Sequence, residues 1–181
     1  MQRLGILFRP GMAPQIRFCF WKPAPNAYIK INCDGASIGN PGNAGWGAVI
    51  RNSKCDILFT ISVSIGVATN FLAECLAILE AVEFAVDKGM NLIWVESDSM
   101  AASLNFQKNK PPWQLRGRWA VCRNRALNII ISHTLREANF AADTAAKHAS
   151  LLPPLTREIN IGTPPWLLTW EIPNTSYTRL D

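Results

Sequence analysis

The 181 residues, 49% hydrophobic and 17% charged, suffice for one ordinary domain with its own core, which argues against a second full domain and against a disordered chain. Eighteen Lys and Arg against 13 Asp and Glu leave a formal charge of +5, a balance that suits a polyanionic partner without naming one. Uncharged stretches such as 57–72 are interrupted by Ser, Thr, Gly and Asn. None approaches the roughly 20 apolar residues of a membrane helix, so no membrane partner is expected.

Residues 1–27 contain Pro10, Pro14, Pro23 and Pro25 with no sustained period, the pattern of an arm or linker. Arg3, Arg9 and Arg17 precede the first acid, Asp34, as in an organelle presequence, but the stretch lacks serine and is broken by proline and glycine. The five cysteines (Cys19, Cys33, Cys55, Cys75, Cys122) are odd in number and show no Cys-x-x-Cys spacing. They point to an intracellular, reducing compartment, nucleus or cytoplasm ahead of an organelle.

The domain proper is expected over 28–152. Tyr28–Asp34 alternates, with Ile29, Ile31 and Cys33 on one face, and predicts a strand followed by a long turn through Asn40-Pro41-Gly42. Gly45–Arg51 and Asp56–Ser64 predict two more strands, so the three form an antiparallel meander. Between Asn70 and Lys88 the apolar residues Leu72, Leu76, Leu79, Val82 and Val86 recur at helical steps, and Gly89 follows as a stop. Leu92–Ser97 reads as a central strand, with a helix from Ser99, helix again over Trp113–Asn124, a fifth strand at Leu127–Ser132 and a last helix over Asn139–Ala149. That order predicts an α/β fold: a mixed five-stranded sheet, three antiparallel and two parallel, with helices on both faces. Residues 153–181, with Pro164, Pro165 and Pro173, are expected to be an irregular tail docked through Trp166 and Trp170.

Four acids occupy element ends in this layout. Asp34 closes the first strand, Glu74 lies in the first turn of the long helix, Asp98 follows the fourth strand and Asp143 opens the last helix. Carboxyl ends of parallel neighbours lie side by side. Gathered carboxylates repel one another, and hard divalent cations, Mg²⁺ or Mn²⁺, are the natural guests of such a cluster. Two such ions would clamp a phosphodiester for hydrolysis. Taken singly, an acid at such a place is more often a helix cap or dipole partner than a metal ligand; four together at consistent element ends are harder to dismiss.

Cys33-Asp34-Gly35-Ala36-Ser37, Asn40-Pro41-Gly42 and the run Gly45–Arg51, with Thr69-Asn70, Ala73-Glu74, Glu96-Ser97-Asp98-Ser99 and His133–Asn139 with Ala142-Asp143, together resemble the type 1 ribonuclease H domain family, in its plant and retroelement-derived branch. The resemblance covers roughly residues 21–152. It implies the ribonuclease H-like form of the sheet and an endonuclease cutting the RNA strand of RNA/DNA hybrids; a monomer is expected. It also implies Asp34 bridging two metal ions, Glu74 and Asp98 completing one site, Asp143 completing the other, and His133 assisting proton transfer or product release. Gly35, Ala36, Ser37 and Asn70 would face the shallow minor groove, where only RNA offers 2′-hydroxyls, and Thr69 would hold a DNA phosphate.

The acid-free run from Lys108 to Arg125, with Lys108, Lys110, Arg116 and Arg118 and with Trp113 and Trp119 interleaved, is expected either to grip the DNA backbone or to form a solvated helical face. Phe71 stands where the family often has a second asparagine. The alternative function is a retroelement-derived nucleic-acid-binding domain with little or no turnover.

Overall fold

The computed structural model describes residues 16–167, 169 and 171–180; Arg3, Arg9 and Trp170 fall outside them. The described residues open with a strand, β1 (Ile16–Phe20), within the stretch where the proline pattern predicts a linker. A three-strand meander follows: β2 (Ile29–Gly39), β3 (Gly42–Arg51) and β4 (Ile57–Ala68). The long turn predicted after Asp34 contracts to Asn40-Pro41, because residues 35–39 extend the ladder and Gly39 pairs with Gly42.

Helix α1 (Asn70–Asp87) is capped by Thr69, whose hydroxyl accepts from the Leu72 N–H at 3.2 Å. Then come β5 (Leu92–Ser97), α2 (Met100–Gln107) capped by Ser99, a 3₁₀ turn (Trp113–Leu115), α3 (Arg116–Arg125), β6 (Asn128–His133), a second 3₁₀ turn (Arg136–Ala138) and α4 (Phe140–Leu151). The five predicted strands and the predicted helices all form. β5 runs parallel to both β2 and β6, with Cys33 level with Ser97 and Ser97 level with His133. The carboxyl ends of the three parallel strands therefore share one edge of the sheet.

The tail is the main departure. Residues 157–161 form β7 (Arg157–Ile161), which pairs antiparallel with β4 as a sixth strand, so the sheet runs β6-β5-β2-β3-β4-β7. Residues 176–180 form β8 (Ser176–Leu180), antiparallel to β1 in a separate two-stranded ribbon. β7 buries little of its surface, Ile161 being 88% exposed. Its ladder hydrogen bonds hold it in place, and they leave no apolar signature to read. Trp166 does dock as expected: it stacks on His148 at 4.0 Å between ring centroids, and His148 in turn contacts Glu158 of β7 at 2.9 Å. Among the described residues no helix is long and apolar enough to cross a membrane.

The main core lies between the sheet and α1, joined by Phe106 of α2 and Trp119 and Cys122 of α3. The basic run is partly spent on this packing, since Arg118 is paired with Glu80 and Glu83 of α1, and Arg125 with Asp87. On the opposite face α4 presents Ala141, Ala142, Ala145, Ala146 and Ala149, all fully buried. They let the helix backbone come so close that a Cβ on Gly47 of β3 would sit 2.3 Å from the Ala146 nitrogen. Gly47→Ala is expected to cost about 1–3 kcal/mol of stability through overpacking, read by denaturant unfolding; an unchanged midpoint would mean that α4 can retreat freely from the sheet.

Candidate active site

The shared edge of β2 and β5 delivers two acids, Asp34 within β2 and Asp98 just past β5, and α1 adds Glu74. One carboxylate oxygen from each lies within 4.8 Å of the others. The spacing depends on Gly35, where a Cβ would meet the Glu74 backbone nitrogen at 2.2 Å. Only a residue without a side chain lets α1 lie this close to β2. The Gly35 N–H donates to Asp34 Oδ1 at 2.9 Å and to Glu74 Oε2 at 3.1 Å, and Asn70 Nδ2 donates to Glu74 Oε1 at 3.4 Å.

Burial and mutual repulsion push these groups toward their protonated forms. Asp34 is raised well above the ordinary carboxylate range, first by burial and then by the charges of Glu74 and Asp98. Glu74 is pushed up to about 8 by burial and by Asp98. Asp98 is raised by burial, against the opposing influence of its hydrogen bond with Asp34 and the nearby Arg136 charge. Asp98 Oδ1 is buried with no hydrogen-bond partner. A cluster of hard oxygen donors with an unsatisfied oxygen is a fitting seat for a hard divalent cation.

Asp143, in the first turn of α4, lines the same cleft of about 350 Å³ but stands outside the tight trio. Its carboxylate is held by two cations of the chain: Arg136 bonds Oδ1 through both Nε and Nη2, and Lys147 lies 2.6 Å from Oδ2. Neither cation stands out in the sequence. The one readable signal is the Asp143 to Lys147 spacing, four residues apart on a helix.

Gly35, Ala36, Ser37 and Asn70 line the carboxylate cleft. Ser37 is anchored there, its hydroxyl within donating distance of two carbonyls, those of Gly39 at 2.6 Å and Ala68 at 3.0 Å. Thr69 is exposed and occupied as the α1 cap. Lys108, Lys110 and Arg116 are exposed around the α2–α3 connection, whereas Arg118 is engaged by two glutamates. His133 ends β6 half-buried and lines a different cleft, with Cys19, Trp94 and Thr134; it is not among the residues lining the carboxylate cleft.

Behind the acids lies a polar layer that alternation alone does not reveal. Lys30 and Asn32 of β2 are fully buried on the face opposite α1. The Lys30 ammonium lies 2.8 Å from Glu96 and between the rings of Trp21 and Trp94, 4.2 and 4.5 Å from their centroids. Asn32 accepts from Arg51 at 2.9 Å and donates to Asn139 at 3.2 Å.

Residues 32–149 match a family model described as reverse transcriptase-like. A ribonuclease HI of Halobacterium salinarum is 33% identical over 142 residues, 71% of this chain and 67% of that protein. Its crystal structure superposes with a TM-score of 0.62, covering 67% of this chain and 96% of that one. A ribonuclease H of Nitratidesulfovibrio vulgaris is 30% identical over 89 residues, and there the chain spans only 55% of the relative's length. LC11-RNase H1, solved in complex with RNA/DNA hybrid, is 30% identical with a TM-score of 0.59 over 67% of this chain and 95% of that one. A match running from β2 to the end of α4, on a sheet of this topology, makes the chain a member of the ribonuclease H family.

Proposed function

We propose that the chain hydrolyses the RNA strand of RNA/DNA hybrids with a pair of divalent cations, Mg²⁺ or Mn²⁺. The observation that carries this reading is the convergence of buried Asp34 and Glu74 with half-buried Asp98, crowded together and with Asp98 Oδ1 unpartnered. The hybrid bound to LC11-RNase H1 supports the substrate class. Asp34, Glu74 and Asp98 would hold one ion, and Asp34 with Asp143 the other. A bound pair supplies an activated water and charge stabilisation of the leaving oxygen.

The chain's own residues do the rest. The Gly35 N–H holds the Asp34 and Glu74 carboxylates in fixed orientation. Ala36, Ser37 and Asn70, on the wall of the same cleft, are placed to meet the minor groove and its 2′-hydroxyls. Exposed Lys108, Lys110 and Arg116 offer charge to the DNA backbone. A second reading, hybrid binding with little turnover, is favoured by one observation: Arg136 and Lys147 already neutralise Asp143.

Asp34→Asn is expected to lower kcat on a labelled hybrid by more than the roughly 100-fold typical of outer-layer partners, with hybrid binding retained. Binding without metal-dependent cutting by the unmodified chain would decide for the second reading. The pH dependence has a definite sign. In the metal-free chain Glu74 keeps its proton up to about 8, whereas in the unfolded chain it releases it near about 4.3. The folded state binds the extra proton between these values, so stability falls as pH rises through that window and levels off above it. Mg²⁺ or Mn²⁺, which need the ionised acids, should therefore raise Tm more at about pH 9 than at about pH 6; a metal-induced shift that ignores pH would sink the assignment. Replacing Lys108, Lys110 and Arg116 together should flatten the salt dependence of hybrid affinity, by about one log–log slope unit for each phosphate no longer neutralised.

A further inference from the structure

Asn139 sits at the cap position of α4 but does not cap it. Its side chain is turned inward, where Nδ2 donates to the Cys33 carbonyl at 3.0 Å and Oδ1 accepts from Asn32. The Ala141 N–H in the first turn, which the cap residue's side chain does not serve, finds another acceptor. It comes from 30 residues downstream: the Ala141 N–H donates to Glu171 Oε1 at 2.6 Å. The other Glu171 oxygen accepts from Arg51 at 3.3 Å, and Arg51 donates to Asn32 Oδ1 at 2.9 Å. Glu171 and Arg51 side chains are 0% and 3% exposed.

The contacts close a ring from the tail through β3 and β2 to α4 and back to the tail. Asn32 lies two residues before Asp34 on one face of β2, and Ala141 lies two residues before Asp143. The tail is itself fixed in place, with Leu167 buried against Val49, Ala141 and Ala145, and with the Asn174 N–H donating to the Trp21 carbonyl at 3.1 Å. We propose that Glu171 is a positioning residue for Asp143: it sets the depth and orientation of the first turn of α4 against β2, and so holds the fourth carboxylate over the cleft. This makes the segment beyond residue 153 part of the catalytic apparatus, although the family match ends at residue 149.

The inference rests on the nuclease reading, and its test separates the two. Glu171→Ala leaves Arg51 buried and unpaired and is expected to destabilise the fold, so the diagnostic pair is Glu171→Gln and Glu171→Asp. Gln keeps one acceptor for the Ala141 N–H but turns its NH₂ toward Arg51, so it too is expected to lose stability, and kcat is compared at a temperature where both variants are folded. Asp keeps the charge but is one methylene too short to span both partners. On an RNA/DNA hybrid with Mg²⁺, Glu171→Gln should stay within about twofold of the unmodified kcat. Glu171→Asp should lose about tenfold in kcat with KM unchanged, the scale of an outer-layer partner. Amide hydrogen exchange at Ala141 should accelerate in the Asp variant alone. Should the unmodified chain not cut at all, the nuclease reading fails, but Mn²⁺ affinity by calorimetry and exchange at Ala141 still judge the positioning role. Equal behaviour of the two variants, an effect confined to KM, or unchanged exchange at Ala141 in the Asp variant would overturn the proposal.

Discussion

Crowding of like charges at one edge of the sheet is the constraint around which this molecule is arranged. Asp34 and Glu74 are buried and Asp98 half-buried beside them, and loss of water raises the proton affinity of all three, with the charge of Asp98 adding to the rise at Asp34 and Glu74. Such a cluster is unfavourable for folding unless a cation joins it or protons occupy it. The scaffold must therefore be stiff enough to hold the groups together when neither is fully present. That stiffness comes from backbones in near contact: Gly35 under α1, and Gly47 and Gly45 under the alanine face of α4. Each places a helix close against the strand whose end it serves, and close packing resists the spreading that repulsion would drive.

The two faces of β2 solve different problems. Ile31 and Cys33 enter the apolar core beneath α1, while Lys30 and Asn32 enter a buried polar layer with Arg51, Glu96, Asn139 and Glu171. Buried ions contribute little net stability after desolvation, yet a fully partnered network holds one geometry because any displacement leaves a charge unpaired. The layer thus trades stability for placement directly behind the acids. Arg136 and Lys147 play a related part in front, compensating Asp143 within the cleft.

Much of this is legible in the residues. The helical recurrence in α1, the apolar run of β5 and the alternation in β2 each rest on local periodicity; α1 and β5 form where periodicity puts them, while β2 runs on past its alternating part to Gly39. The convergence of Asp34, Glu74 and Asp98 follows from element ends on parallel neighbours. What is not legible depends on distant partners. Residues 157–161 become a strand only because β4 offers an open edge, and β1 exists only because β8 pairs with it. Lys30 and Asn32 occupy positions that alternation assigns away from the core, and their burial requires a cover of Trp21 and the tail that no local pattern announces. His133 has the right spacing from Asp143, but spacing cannot say which cleft a strand-end side chain faces.

The antiparallel ribbon of β1 and β8 has a topological corollary. It brings the first and last strands of the described residues side by side, with Phe18 opposite Thr178, so both ends of the described segment lie at one place. A unit with adjoining entry and exit can sit within a host protein's surface loop without prising the host apart. Pulling residues 16 and 180 in opposite directions would load this ribbon before the six-stranded sheet, opening it one residue pair at a time.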